Sequence, residues 1–237
     1  MVYTSFIEQD KKMKVKLISY TKPSEFETYD SKGELVNIED LIAFCARVSN
    51  PSNQMNKETS AKLIKYLIKH QHWSPLEMVN ACLEIQTTRD IAHQIVRHRS
   101  FSFQEFSQRY ADPKAQGDMF EYSEARLQDE KNRQNSVEVD DEKLQLDWLH
   151  AQMRIAHLAK KEYDWAIKKG IAKEQARKVL PEGITKTTLY MNGTLRSWIH
   201  YIDLRGANGT QKEHMEIAHA CAEAIAKIFP LMKELDA

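Results

Sequence analysis

With 237 residues, of which 42% are hydrophobic and 29% charged, the chain has the composition of a globular protein with a core of its own. Lysine plus arginine and aspartate plus glutamate each number 34, so the net charge is zero, which argues against a nucleic-acid polymer or a membrane as partner. No apolar run approaches the roughly 18 residues that span a bilayer, and residues 1–12 lack the apolar stretch of a secretory signal.

The three cysteines, Cys45, Cys82 and Cys221, are widely spaced and form no CxxC pair. This pattern argues against a disulfide scaffold or a zinc site and suits a reducing compartment, so we expect a cytoplasmic protein. The chain also lacks an HExxH motif, and we predict no metal site. None of the thiols has an activating neighbour in the sequence, so core packing is the interpretation for all three.

Hydrophobic periodicity predicts alternating strands and helices in the first half of the chain. In chain order, the predicted elements are a strand over residues 13–20, helices over 38–49 and through 63–68, a turn over 72–77, a strand over 78–86, and a helix that begins after Thr88. Pro75 prevents the second helix from continuing through the turn. Thr88 is the predicted N-cap of the last helix, which leads to Arg97.

The second half of the chain has longer helical patterns. Its predicted elements are a long loop with short helical pieces over residues 111–142, helices over 144–169 and 172–180, an extended segment over 184–192, a helix over 194–204, and a helix over 211–235 that is kinked at Pro230. Gly170 stands at the usual C-terminal position of the longest helix, and Pro181 stops the next one.

These elements predict one α+β domain over residues 13–237, with an antiparallel or mixed sheet core and several long helices, preceded by a possible N-terminal extension at 1–12. A separate helix-rich lobe in the second half is the less favoured interpretation, since no flexible linker is found. Only seven glycines occur and no GxGxxG follows a strand, which excludes a Rossmann domain.

The most unusual segment is residues 97–110, RHRSFSFQEFSQRY, which holds three arginines, a histidine, three serines and four aromatic residues. Arginine offers a planar fork of donors that matches phosphate oxygens, and serine hydroxyls can complete such a site. The segment therefore predicts a phosphate or pyrophosphate site. A solvated basic loop and a single-stranded nucleic-acid-binding segment, with arginine and aromatic side chains stacking on bases, are the alternatives.

The spacing of this segment, Arg97-His98-Arg99, seven residues, Ser107, one residue, Arg109, resembles the RHR-x7-S-x-R signature of the flavin-dependent thymidylate synthases. Further segments resemble the same family in the same order: His72-Trp73-Ser74-Pro75-Leu76-Glu77, Gln94, Ala176-Arg177-Lys178-Val179-Leu180-Pro181, and Thr194-Leu195-Arg196-Ser197 through Leu204-Arg205. The likeness covers roughly residues 13–235 and is weakest over 111–142.

The resemblance implies a thymidylate synthase-complementing-protein-like fold and an FAD enzyme that converts dUMP to dTMP. It implies methylenetetrahydrofolate as carbon donor, NADPH as reductant, and a homotetramer whose active sites lie between subunits. The residues that match FAD contacts are His72, Ser74, Arg97, His98, Arg99, Glu105, Thr194, Leu195, Arg196 and His200. The residues that match dUMP contacts are Gln94, Arg97, Glu105, Phe106, Ser107, Gln108, Arg109, Arg177 and Arg205.

Arg205 also matches the catalytic arginine that polarises the pyrimidine and favours loss of its N3 proton, an electrostatic role. The chain departs from the family where Thr194 and His200 replace residues that are often asparagine, so the geometry of those polar contacts is open. Residues 206–211 are longer than in some relatives, and no role is assigned to them. A flavoprotein of the same fold with another pyrimidine substrate stays an alternative.

Overall fold

The computed structural model of the chain describes residues 14–24 and 37–235. The strands of this part of the chain are β1 (Val15–Tyr20), β2 (Asn80–Thr88), β3 (Ser102–Glu105), β4 (Arg126–Gln128), β5 (Ser136–Glu138) and β6 (Lys186–Thr194). The helices are α1 (Ile38–Ala46), α2 (Ser60–Lys69), α3 (Arg89–Ile95), α4 (Glu142–Lys168), α5 (Lys173–Ala176), α6 (Leu195–Gly206), α7 (Lys212–Ala226) and α8 (Met232–Leu235).

Four strands form an antiparallel sheet in the order β1-β2-β6-β3, and β4 pairs with β5 in a separate hairpin. In β2, Ala81, Leu83 and Ile85 are buried while their neighbours in sequence are more exposed, the alternation of a sheet with one face on the core. The predicted single α+β domain with an antiparallel sheet and several helices is confirmed. The predicted extension at residues 1–12 lies outside the described residues.

Helices α6 and α7 cover the buried face of the sheet and carry much of the core. Trp198 of α6 is fully buried, and its ring N–H donates to the carbonyl oxygen of Ala81 on β2 at 3.0 Å. This bond satisfies the one polar atom of a large apolar side chain. The side chain of Thr194 accepts from the backbone N–H of Ser197 and caps α6, which fixes the start of that helix on the end of β6.

The long helix α4 lies apart from this core and packs through a smaller cluster. Tyr163 and Ala166 of α4 are buried against Met119, Ala176 and Leu180. As predicted, α4 ends before Gly170, whose φ of 79° is the left-handed conformation that glycine adopts most readily. None of the helices in the described ranges is both long and apolar enough to span a bilayer.

Several predicted helix boundaries were wrong. Helix α1 ends at Ala46 rather than at residue 49, and α5 stops at Ala176 and is followed by a 3-10 turn at Arg177–Val179. The predicted final helix is interrupted rather than kinked: α7 ends at Ala226 and α8 begins at Met232. Pro230 explains the break, because it has no N–H for the carbonyl of Ala226 and its ring clashes there.

One strand and a two-stranded hairpin occur where no strand was predicted. Residues 102–105 form β3 within the basic segment, and β4 and β5 replace most of the helical pieces expected over 111–142. In β3, serine, phenylalanine, glutamine and glutamate alternate over only four residues. So short an alternation carries little signal until β6 is known to lie beside it.

Candidate active site

Helix α6 brings three of the motif segments together. At its start, the guanidinium of Arg196 pairs with the carboxylate of Glu77 in the turn at residues 72–78. One turn further along, the ring of His200 lies 4.5 Å from that of Trp73, centroid to centroid. The exposed side chains of His72 and Ser74 belong to the same turn. These two segments, both predicted to contact FAD, flank the same end of the paired strands β2 and β6, where Asn80 lies opposite Thr194, and they meet at this end of α6.

The other side of α6 contacts the beginning of the basic segment. The hydroxyl of Ser197 donates to the carbonyl oxygen of Ser100 at 3.3 Å. The ring of Phe101 packs 4.8 Å from Trp198 and fills the space where a Cβ on Gly193 would stand, only 2.4 Å from a ring carbon. Gly193 is thus required by close approach, and the loop after α3 is held against the start of α6.

Arg205, near the end of α6, contacts His98 directly. Its Nε donates to Nε2 of the imidazole at 2.9 Å. Burial, together with the positive charge of Arg205, lowers the pKa of His98 below its usual value. A neutral imidazole can accept this hydrogen bond, whereas an imidazolium cannot. The pair therefore holds the arginine in one orientation through a histidine that stays uncharged.

A buried row of polar side chains continues behind this pair. His214 of α7 is fully buried, with its Nε2 3.1 Å from the hydroxyl of Tyr201 and its Nδ1 3.3 Å from Oε1 of Gln94. Burial is the main reason that the pKa of His214 falls to about 3, with Arg205 and His98 adding to it. At its outer end the row reaches Gln211, whose Oε1 accepts from Nε2 of Gln94 at 2.8 Å.

Glu105, at the end of β3, already has partners within the chain. Its Oε1 accepts from Nη1 of Arg89 at 3.1 Å and from the hydroxyl of Thr187 at 2.9 Å. Both charged side chains are largely buried, with 16% and 23% of the surface of Arg89 and Glu105 exposed. The ion pair ties α3 to β3, so Glu105 fixes where the next loop begins.

The loop after β3 lies beside α5. Arg109 pairs with Glu174 at 3.6 Å, and Nζ of Lys173 donates to the carbonyl oxygen of Tyr110 at 3.0 Å. Arg177 follows directly after α5. The loop and the end of α5 thus hold four of the predicted dUMP residues: Ser107, Gln108, Arg109 and Arg177. The backbone N–H of Phe106 donates to the carbonyl oxygen of Thr188 on β6.

The predicted residues therefore form two groups in one chain. The first, which we call the flavin group, lies along α6 and comprises His72, Ser74, Gln94, Arg97, His98, Arg99, Thr194, Arg196, His200 and Arg205. The second, the loop group, comprises Glu105, Phe106, Ser107, Gln108, Arg109 and Arg177. Three residues of β3, Ser102 to Gln104, lie between them before Glu105 ends the strand, a length of roughly 10 Å in extended chain. Leu195 belongs to neither, because its side chain is in the core.

The donors of the flavin group fit a dinucleotide. Arg97 and Arg99 are exposed, and no described residue holds either guanidinium by a hydrogen bond or ion pair. Exposed guanidinium groups beside serine hydroxyls are the donor set that pyrophosphate requires. In the loop group, Nε2 of Gln108 is buried without a hydrogen-bond partner, a donor that fits an anionic ligand. Among residues 14–24 and 37–235, no cluster of His, Cys, Asp or Glu could hold a metal ion.

Comparison with known proteins identifies the family. Residues 34–231 match the family described as thymidylate synthase complementing protein. The chain belongs to that family. A probable flavin-dependent thymidylate synthase of Paramecium bursaria Chlorella virus 1 is 50% identical over 226 residues, which cover 94% of this chain and 99% of the relative. The flavin-dependent thymidylate synthase of Synechocystis is 49% identical over 218 residues, which cover 92% of this chain and 96% of that one.

The solved structures show the same fold for this member of the thymidylate synthase complementing protein family. A UMP/dUMP methylase, PolB from Streptomyces cacaoi, crystallised with 5-Br dUMP, has a TM-score of 0.76 at 24% sequence identity. The match covers 93% of each chain. The single α+β domain is therefore the architecture of that structure as well.

Sequence patterns did not identify the residues whose side chains hold the predicted site residues in place. Arg89, Thr187 and His214 lie outside the motif segments, and Tyr201 lies within the 194–205 segment without an assigned role. Their side chains contact Glu105, Gln94 or one another. Glu77 stands within the 72–77 motif, and its pairing with Arg196 could be foreseen only from the folded chain. A histidine in an apolar stripe of α7 was the one available signal, since His214 shares its buried face with Ala218 and Cys221.

Proposed function

We propose that the chain is a flavin-dependent thymidylate synthase, which converts dUMP to dTMP with methylenetetrahydrofolate as carbon donor and NADPH as reductant of its FAD. One observation carries this proposal. Helix α6 places Arg205 against His98 beside two uncommitted arginines, the arrangement that an enzyme acting on a nucleotide beside a dinucleotide needs. The names of relatives that are about half identical over nearly the whole chain support it.

Arg97 and Arg99 are assigned to the phosphates of FAD, with Ser74, Thr194 and Arg196 as further contacts. Thr194 keeps its cap on α6, because its Oγ1 already accepts from Ser197, so a ligand would share that oxygen. When bound, the flavin supplies the reducing equivalents that complete the methyl group. The protein contributes binding, orientation and charge.

Arg205 is assigned to the pyrimidine of dUMP. Carbon 5 of uracil must become electron-rich before it accepts a carbon unit, and loss of the N3 proton makes the ring anionic. A guanidinium held in place stabilises that charge as it forms, without reorganising in the reaction. The bond from Nε to His98 leaves the Nη groups of Arg205 available for this task. His98 acts as a positioning residue, because it keeps Arg205 in one orientation.

The loop group is assigned to the phosphate and sugar of dUMP. Ser107, Gln108 and Arg109 would donate to the phosphate, and Arg177 lies beside them after α5. The pairing of Arg109 with Glu174 is exposed and therefore weak, and a phosphate can replace the carboxylate. Glu105, with Arg89 and Thr187 as partners, sets the position of this loop.

We infer further that the active enzyme is a homotetramer whose active sites combine the flavin group of one subunit with the loop group of another. The separation of the two groups by β3 supports this assembly. A stripe of apolar side chains on α4 supports it too, because Trp148, Ile155, Leu158 and Trp165 recur at helical spacing on one exposed face. The three unpaired cysteines fit the cytoplasmic location that we propose.

Tritium release from dUMP labelled at carbon 5 tests the reaction. We expect release that requires methylenetetrahydrofolate and NADPH together, from a yellow protein whose flavin is freed on denaturation. The same assay with UMP in place of dUMP measures the preference of the enzyme for deoxyribose over ribose. A colourless protein that binds oligonucleotides with steep salt dependence would favour the nucleic-acid alternative instead, an alternative that the comparisons do not support.

A further inference from the structure

A row of hydrogen bonds leads from the core to Gln94 at the rim of the flavin group. Tyr201 and His214 are 1% and 0% exposed, whereas Gln94 is partly exposed. The imidazole of His214 stands between the two, 3.1 Å from the tyrosine hydroxyl and 3.3 Å from the amide oxygen of Gln94. Buried polar networks of this kind fix single conformations when every member is satisfied.

The proton on His214 decides which end of the Gln94 amide faces outward. A neutral imidazole has one N–H and one lone pair. With the proton on Nδ1, His214 donates to Oε1 of Gln94 and the amide NH2 points away. With the proton on Nε2, Nδ1 becomes an acceptor, and the amide must turn its NH2 toward the histidine.

Tyr201 selects between these two arrangements. Its hydroxyl is buried, and its hydrogen-bond partner among the described residues is Nε2 of His214. If the hydroxyl donates to Nε2, its proton is satisfied. If the hydroxyl instead accepts from an Nε2–H, the hydroxyl's own proton is left buried without an acceptor, which costs roughly 1–3 kcal/mol. Nε2 is therefore the acceptor, and Nδ1 carries the proton.

We propose that His214, held in its Nδ1–H tautomer by Tyr201, is a positioning residue that turns the NH2 group of Gln94 toward the nucleotide. This inference rests on the proposed function, since the nucleotide is dUMP. One N–H of Gln94 donates to Gln211 at 2.8 Å, and the second is available for an acceptor oxygen of dUMP. A turned amide would present its own carbonyl oxygen to that atom and repel it.

Two substitutions at position 214 separate positioning from packing. In His214→Asn, the amide nitrogen stands where Nδ1 stood and can still donate to Gln94. In His214→Gln, the amide nitrogen stands where Nε2 stood, and the donor to Gln94 is lost. We expect the dissociation constant of dUMP to stay within about threefold for His214→Asn and to rise about tenfold for His214→Gln. The FAD content and the KM for the folate should not change in either.

A double-mutant cycle shows whether the effect passes through Gln94. In a Gln94→Ala background, the step from His214→Asn to His214→Gln should no longer weaken dUMP binding. Tyr201→Phe supplies an independent variant, because it removes the hydroxyl proton that selects the tautomer and retains the ring. We expect it to weaken dUMP binding at least threefold with full FAD content.

Titration of each holoenzyme with dUMP, followed by the change in flavin absorbance, measures these dissociation constants. Equal losses in both His214 variants, a penalty that persists without Gln94, or unchanged dUMP binding in Tyr201→Phe would overturn the inference while leaving the function intact. Absence of dUMP binding by the unsubstituted protein would instead contradict the proposed function, and the inference with it.

Discussion

Nε of Arg205 donates to Nε2 of His98 across 2.9 Å, so the central histidine of the RHR segment is joined directly to the arginine near the end of α6. The two residues are 107 positions apart in the chain. Their contact makes the RHR segment and helix α6 parts of one site. It also gives His98 a defined role, since a neutral imidazole is required as acceptor.

Arg205→Ala should leave FAD bound and remove most turnover. The guanidinium acts on the charge of the pyrimidine, and loss of one such electrostatic contact typically costs about 100-fold to 1,000-fold in kcat. Tritium release measures turnover, and flavin absorbance measures cofactor content. Lys160→Met, which removes an exposed cation on α4, is the matched control and should keep full activity. Full turnover by Arg205→Ala would remove its catalytic assignment.

His98→Asn tests the positioning of Arg205 separately from its charge. The substitution removes the Nε2 acceptor, so Arg205 keeps its charge but loses its fixed orientation. We expect a fall of about tenfold or more in kcat with a smaller change in the KM for dUMP. If kcat is unchanged while FAD is retained, the hydrogen bond has no part in the orientation of Arg205.

The stability of the protein should fall in mild acid because of His214. Its pKa is about 3 in the folded chain, against the ordinary value of 6.5, so below pH 6.5 the unfolded chain binds a proton that the folded chain does not. Its stabilising contribution is complete above that pH and is lost as the pH falls toward 3. From about pH 7.5 to about pH 5.5, the loss from this residue is roughly 1.4 kcal/mol.

Thermal unfolding of His214→Asn over the same pH range tests whether His214 causes this loss of stability in acid. The variant has no titrating group at this position, so its unfolding temperature should depend less on pH than that of the unsubstituted protein. An equal or steeper dependence in the variant would show that His214 is not the group responsible.

Arg89→Met should weaken both the fold and the binding of dUMP. Without its partner, the carboxylate of Glu105 is left partly buried, which costs roughly 1–3 kcal/mol. Because β3 then loses its tie to α3, the loop at 106–110 is less well positioned, and the KM for dUMP should rise several-fold. Arg89→Lys should recover part of both losses. An unchanged KM with lowered stability would restrict Arg89 to a structural role.

Leu158→Glu should break the assembly that we propose. Leu158 is 54% exposed in the stripe on α4, whereas Met153 is 46% exposed on another side of the same helix. A carboxylate in a buried interface is strongly unfavourable, so light scattering should find a smaller species with little turnover. Met153→Glu is the matched control. Unchanged mass and activity in Leu158→Glu would place the subunit contacts elsewhere.

The parts of the fold that were predictable have local causes. Helix α3 begins directly after Thr88 as predicted, although the side chain of Thr88 makes no capping hydrogen bond, and Gly170 ends α4 in a left-handed conformation. Both signals lie within a few residues of the boundary they set. Strand β2 was found because its alternation extends over nine residues with one buried face.

The parts that were not predictable depend on partners far along the chain. Strand β3 exists because Phe103 and Glu105 lie opposite Met191 and Leu189 of β6, which no pattern within 97–110 reveals. The same holds for the site: the resemblance supplied Arg205 and His98 separately, but the bond between them depends on the packing of α6 against the loop after α3.

The absorption spectrum of the purified protein, before and after addition of dUMP, tests the central claim most directly. That claim is that the arginines around position 100, with Arg205, bind a flavin and a nucleotide side by side. We expect FAD that copurifies or binds at about micromolar concentration, with bands that shift when dUMP is added. A well-folded protein that takes up no FAD under these conditions would contradict it.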